Sequence, residues 1–271
     1  MGVRLLVCSL LSLILAVPTS AQWKTPNKPG TPRTEIDPDA AAPRTADGKP
    51  DFSGIWSPGP VPGSEVGAPV PFTNLPPRIS RASSNNISLG VPMTDAAEAI
   101  VRARAARDFR DNPRSQCRPM GIVQLHTMGA PVKFLHTARQ LTLLYESNFE
   151  RREIFLDGRP LPGTSAQPFF NGYSVGKWDG DTLLVETTGF RDGGWLDMTG
   201  TPMSDAARIT ERFRRPSMVG LEIDITIDDP KTFLRPFTVR QTYRLRPDDE
   251  LMELVCLENQ KFGPDPGTDR P

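Results

Sequence analysis

Cysteine is scarce, three residues in a chain of 271, and histidine is scarcer, at two. His126 and His136 stand at a spacing that matches no recognised ligand pattern, so no histidine-built metal centre is expected. Excess charge is lacking as well. Lys+Arg and Asp+Glu both number 32, and a formal net charge of +0 gives no global steering toward nucleic acid or anionic lipid. There is no glycine-rich phosphate loop, no GxSxG elbow and no dinucleotide fingerprint, so no cofactor is implied. Beyond the first 21 residues no run is apolar enough to cross a membrane as a helix.

Proline and glycine are plentiful, 29 and 22 residues, with the prolines crowded toward the N-terminal third. Met1 to Ala21 reads as a secretory signal: Arg4 supplies the positive charge, Leu5 to Val17 the apolar core, and Thr19-Ser20-Ala21 the small residues for cleavage before Gln22. Export places the protein in a periplasmic or extracellular compartment. There Cys117 and Cys256 are expected to pair as a disulfide. So long a closed loop is worth about 4–5 kcal/mol in the chain-entropy account. A reactive thiol is the alternative.

Gln22 to Pro50 is polar and proline-rich, the composition of a tail or linker. A single β-rich domain is expected over 51–262, entered by Gly54-x-Trp56 and followed by a frayed end. Ser57 to Pro92 has no hydrophobic period and is expected to wrap the surface or cover a cavity mouth. Thr94 to Arg110 is the one expected helix, with Thr94 as its cap. From Pro131 onward the pattern is that of strands: Val132–Thr137, Leu141–Glu146, Arg151–Leu156, Arg208–Arg215, Leu221–Ile227, Pro236–Leu245 and Leu251–Leu257. Ile209, Glu211 and Phe213 share one side, and Leu221, Ile223, Ile225 and Ile227 share another. This alternation belongs to half-buried antiparallel sheet. The expected fold is mainly β, an up-and-down meander closing into a lipocalin-like barrel. A two-sheet sandwich is the alternative.

At the centre lies Asn171 to Phe190, two strands joined at Asp179-Gly180. A type I′ turn there would pair Trp178 with Asp181 and set Tyr173 opposite Glu186, a phenol beside a carboxylate. This stretch, GYSVGKWDGDTLLVETTGF, together with PRTADGKPDFSGIW (43–56) and IDDP (227–230), resembles a family of exported bacterial proteins of unassigned function. The resemblance covers most of the chain and implies one recurring domain. It carries no reaction with it. The Gly-x-Trp entry resembles that of lipocalins, an analogy of fold alone.

Glu211 heads the candidate site residues. A carboxylate on the inward side between Ile209 and Phe213 must be paired, hydrogen-bonded or protonated. Two readings stand beside each other: a structural ion pair with a barrel arginine, or a polar anchor and acid/base group. Glu186 and Tyr173 are the other candidate catalytic pair. Trp178, Phe213 and Tyr243 are candidate walls of a cavity. Trp195 and Asp197, on a glycine-rich loop, and Arg159, in the turn Asp157-Gly158-Arg159, are further candidate ligand contacts. Three functions follow. The barrel binds a small apolar or aromatic molecule, the same cavity is a metal-independent acid/base enzyme, or a filled barrel works through its surface in an envelope assembly.

Overall fold

The computed structural model describes residues 34–59, 93–127, 129–163, 166–197 and 199–253. The expected signal segment, the bulk of the Ser57–Pro92 stretch, Cys256 and the end of the chain lie outside them.

The architecture is a closed barrel. In chain order its strands are β1 (Gly54–Pro58), β2 (Val132–Thr137), β3 (Gln140–Tyr145), β4 (Arg151–Phe155), β5 (Tyr173–Asp179) and β6 (Thr182–Thr188). The short β7 (Gly194–Trp195) and β8 (Pro202–Met203) form a separate ribbon; β9 (Arg208–Arg214), β10 (Gly220–Asp228) and β11 (Phe237–Leu245) complete the wall. Around the barrel the order is β1, β11, β10, β9, β6, β5, β4, β3, β2, and β2 returns to β1. Period-2 patterning dictates the wall. Leu221, Ile223, Ile225 and Ile227 are fully buried, while Glu222, Asp224 and Thr226 between them are not. Each such apolar side chain contributes about 1.5–3 kcal/mol by leaving water.

Three expectations are corrected. The barrel is closed by β1, which pairs with both β2 and β11, and not by Leu251–Leu257. Residues 251–253 form no strand, and 254–257 lie outside the described residues. Second, the meander is broken once: β4 and β5 run parallel, joined by only Ile154–Ser174 and Phe155–Val175. The long connection between them permits this, since a hairpin cannot join parallel strands.

Third, the β5–β6 turn slides by one residue. Gly180 and Asp181 form the loop, Asp179 pairs with Thr182, and Trp178 pairs with Leu183. Only Gly180 of the two has positive φ, at 58°, so the backbone needs one left-handed residue rather than the two of a type I′ turn. In consequence Tyr173 faces Thr188 and Glu186 faces Val175. The expected phenol–carboxylate pair does not form.

The helix is shorter than expected. α1 spans Asp95–Ala106, capped by Thr94, whose hydroxyl accepts from the Ala97 amide at 3.2 Å. Asp108 and Phe109 take positive φ and end it well before Asn112-Pro113. A second helix, α2 (Ile122–Thr127), was not expected at all. The N-terminal tail is only partly a tail. Arg44 and Lys49 reach the β5–β6 turn, through Asp181 at 2.6 Å and the Gly180 carbonyl at 3.2 Å.

Both ends of the barrel are stopped. At the β5–β6 turn end, Trp178 stacks on Phe52 with ring centres 5.6 Å apart. Trp56 is fully buried there, its indole donating to the Phe52 carbonyl at 2.9 Å under the Arg215 guanidinium. At the opposite end, from which β2 starts, sits α2. Gly172 shows how tight the wall is beside the parallel seam. Its φ is +63°, and an added Cβ would stand 2.7 Å from Thr187 and 2.9 Å from the Thr188 carbonyl. Gly172→Ala is expected to cost about 1–3 kcal/mol through strain and overpacking, read as a lowered urea midpoint with unchanged m.

Candidate functional site

Inside the barrel, four strands and one helix bring polar groups together. β4 alternates, so Arg152 shares the inward side with Ile154. β9 turns Glu211 inward between Ile209 and Phe213, β3 turns Tyr145 inward after Leu141 and Leu143, and β11 contributes Tyr243. From α2 comes His126.

The Arg152 guanidinium grips Glu211 with both terminal nitrogens, one at 2.8 Å. It also donates to the Ser174 hydroxyl at 3.1 Å and to the Thr187 hydroxyl at 2.9 Å. One side chain thereby ties β4 to β5, β6 and β9 across the short parallel seam. His126 Nδ1 meets the Tyr243 hydroxyl at 2.6 Å, and His126 Nε2 lies 3.2 Å from the Glu211 carboxylate. The Tyr145 ring packs edge-on to His126, and its hydroxyl makes no hydrogen bond of ordinary geometry.

Burial and charge compete here. Burial alone would raise the Glu211 carboxyl, but the Arg152 charge and hydrogen bonds outweigh it and hold the group down to about 2. Burial would likewise lower Arg152, and Glu211 more than reverses that. Burial lowers His126 below its ordinary value, and Glu211 offsets only part of the effect. Both tyrosines are pushed up by burial. At neutral pH the cluster is therefore an ionised Glu–Arg pair beside a neutral imidazole and two neutral phenols. Glu211 is thus ionised and paired with Arg152. Glu211, His126, Phe213 and Tyr243 are each 0 % exposed, which leaves no open surface at these side chains for a bound molecule.

The remaining candidates are scattered. Trp178 belongs to the stopper at the β5–β6 turn end, in mutual contact with Phe52 and His136. Trp195 is buried on β7 under the Arg104 guanidinium and against Phe109. Asp197, raised by burial despite its hydrogen bonds, is fully engaged by Thr199 and Thr201 and closes its own loop. Glu186 points outward to Arg208 at 3.4 Å. His136 sits near Asp51, at 3.5 Å. Among the described residues no group of three or more His, Cys, Asp or Glu could hold a metal.

Tyr173 and Arg159 do come together, on the outer surface of the parallel seam. The Arg159 guanidinium lies 3.9 Å over the Phe155 ring, donates to the Tyr173 hydroxyl at 3.0 Å and is fixed by Asp157 at 2.6 Å. Phe155 stacks on Tyr173 with centres 5.1 Å apart, and Phe169 follows at 6.3 Å from Tyr173. Phe170, the next residue, lies under the Arg191 guanidinium at 4.9 Å. Phe169 and Phe170 are 49 % and 38 % exposed. Their backbone is held by the Phe169–Phe190 bridge and by Arg191 N–H donating to the Phe169 carbonyl at 2.9 Å.

Sequence reasoning missed Arg152, Tyr145 and His126 inside, and Phe155, Phe169, Phe170 and Arg191 outside. The period-2 rule that found Glu211 also puts Arg152 beside Ile154 and Tyr145 beside Leu143. The outer cluster had no such signal, because a parallel seam between distant strands creates it. Comparison with models of known protein families and with curated proteins finds no match for this chain.

Proposed function

We propose that this is an exported barrel that binds a small aromatic anion on the outer face of the β4–β5 seam, and that its filled interior is scaffold. The expected aromatic character of the ligand is kept, but its place moves from the interior to the outer face and its anchor changes from an acidic to a basic side chain. The observation that carries this is the row Phe155–Tyr173–Phe169 with the Arg159 guanidinium over Phe155, and next to it in sequence the exposed Phe170 under the Arg191 guanidinium. Large exposed aromatics held rigid at a surface mark contact sites. On the wall, Arg214 and Arg240 pair with Asp224, and Arg208 with Glu186; Arg191 differs from these in lying over an exposed aromatic ring. Arg191 makes no ion pair with a described residue, so its charge is available to a carboxylate lying against Phe169 and Phe170. The secretory signal and the Cys117–Cys256 bridge belong to the same proposal.

The acid/base alternative rests on the Tyr243–His126–Glu211 chain, in which His126 and not Glu211 would move the proton. The closure around these residues makes it the second reading.

The test is a titration with 2-naphthoate and with 2-naphthylmethanol, which has the same ring system and no charge. Naphthoate is expected to bind more tightly, and Arg191→Gln to remove that preference. Phe170→Ala is expected to weaken both by about two- to fivefold, the size of an exposed ring–cation contact. Equal affinity for the two probes, or an Arg191→Gln protein that keeps the preference, would overturn the proposal.

A further inference from the structure

α2 is an unusual helix. It has six residues, and five of them, Ile122 to His126, are buried. A helix this short has no stability of its own and holds only by packing. Gly121 and Gly129, both at positive φ, +87° and +83°, flank it. From it His126 reaches the ionised interior, between Tyr243 and Glu211.

We infer that His126 is a proton-released latch that keeps α2 seated in the barrel end. The groups facing it are known from each element packed against it. They are Tyr145 on β3, Arg152 on β4, Glu211 on β9 and Tyr243 on β11. With Arg152 and Glu211 already balanced, a proton on His126 would leave a net positive charge in a site that water does not reach, and that is costly. A neutral imidazole suits the site better: Nδ1 lies 2.6 Å from the Tyr243 hydroxyl, while Nε2, 3.2 Å from the Glu211 carboxylate, makes no hydrogen bond of ordinary geometry.

The direction follows from linkage. The packed imidazole has a lowered proton affinity, while the released one has its ordinary value. Above about pH 6.5 both forms are neutral and the latch holds in full. As pH falls through that value the released form takes up a proton that the seated form refuses, and α2 loosens. Release would uncover Arg152, Glu211 and the Tyr145 hydroxyl.

Amide hydrogen exchange on the full chain at about pH 7 and pH 5, corrected for intrinsic rates, tests this. Protection of Val123 to Thr127 is expected to fall about tenfold per unit of pH in which only the released form is protonated, while β9 and β10 hold theirs. His126→Gln keeps a neutral side chain and is expected to abolish the pH dependence; His136→Gln is expected to leave it. Histidine NMR of the unaltered protein supplies a check that needs no variant. An imidazole of His126 that titrates near 6.5 while α2 stays protected would overturn the latch, as would pH-independent protection in the unaltered protein.

Discussion

Glu211→Ala is expected to cost about 3–5 kcal/mol, because it strands the Arg152 guanidinium in a site closed to water. For a domain of this size that is a fall in Tm of roughly 6–20 °C. The effect should exceed that of an ordinary polar deletion for a topological reason. Arg152 holds Ser174, Thr187 and Glu211 together, and β4 and β5 share only two paired positions of their own. Once Glu211 is gone, the buried charge draws water toward the weakest seam of the wall. Arg152→Met combined with Glu211→Leu removes both charges and should recover much of the loss, whereas either single change should not. Additive single and double effects in thermal or urea unfolding would show that the pair does not act as a unit.

Trp56→Ala is expected to cost a further class of stability, about 3–5 kcal/mol for a large aromatic removed from a packed position. Here the loss bears on closure. β1 is five residues long and is the strand that joins β2 to β11. Trp56 anchors it, fully buried, through its indole bond to the Phe52 carbonyl and its contact with Arg215. The guanidinium of Arg215 also donates to the Asp51 and Met218 carbonyls, so it ties the entry of β1 to the β9–β10 turn. The checks are a lowered urea midpoint and hydrogen exchange. Amides of β2 and β11 that face β1 should lose protection before those between β9 and β10. Uniform loss across the wall would show that β1 is not the closing element.

Much of the barrel was legible because alternation is a local signal with a direct physical cause. Ile209, Glu211 and Phe213 had to share a face, and an antiparallel wall buries such a face. β2 falls on the expected residues, and β10 differs by one at each end. What was not legible depends on distance. The β5–β6 register turned on a single residue, because Gly180 can occupy the first or second position of a tight turn. Sliding it moved Tyr173 away from Glu186. Gly54-x-Trp56 was legible as a first barrel strand, but its pairing with both β2 and β11 was not, because the long unpatterned stretch after it hides its partners. α2 was missed because six residues that are buried almost all round show no helical period. The pairing of Arg152 with Glu211, 59 positions apart, was open to half an argument. The sequence demanded a partner for Glu211 without saying which arginine would serve. The outer aromatic row was invisible, since Phe155 and Tyr173 meet only through a parallel seam.

The account separates an enclosed scaffold from a working exterior, and an amide chemical-shift map of the protein titrated with 2-naphthoate near neutral pH tests that division directly. It predicts perturbations at Phe155, Phe169 to Tyr173 and Arg191, with Glu211, Phe213 and Tyr243 unmoved. Shifts concentrated on Glu211, Phe213 and Tyr243, with the outer row unchanged, would place the ligand in the interior and contradict it.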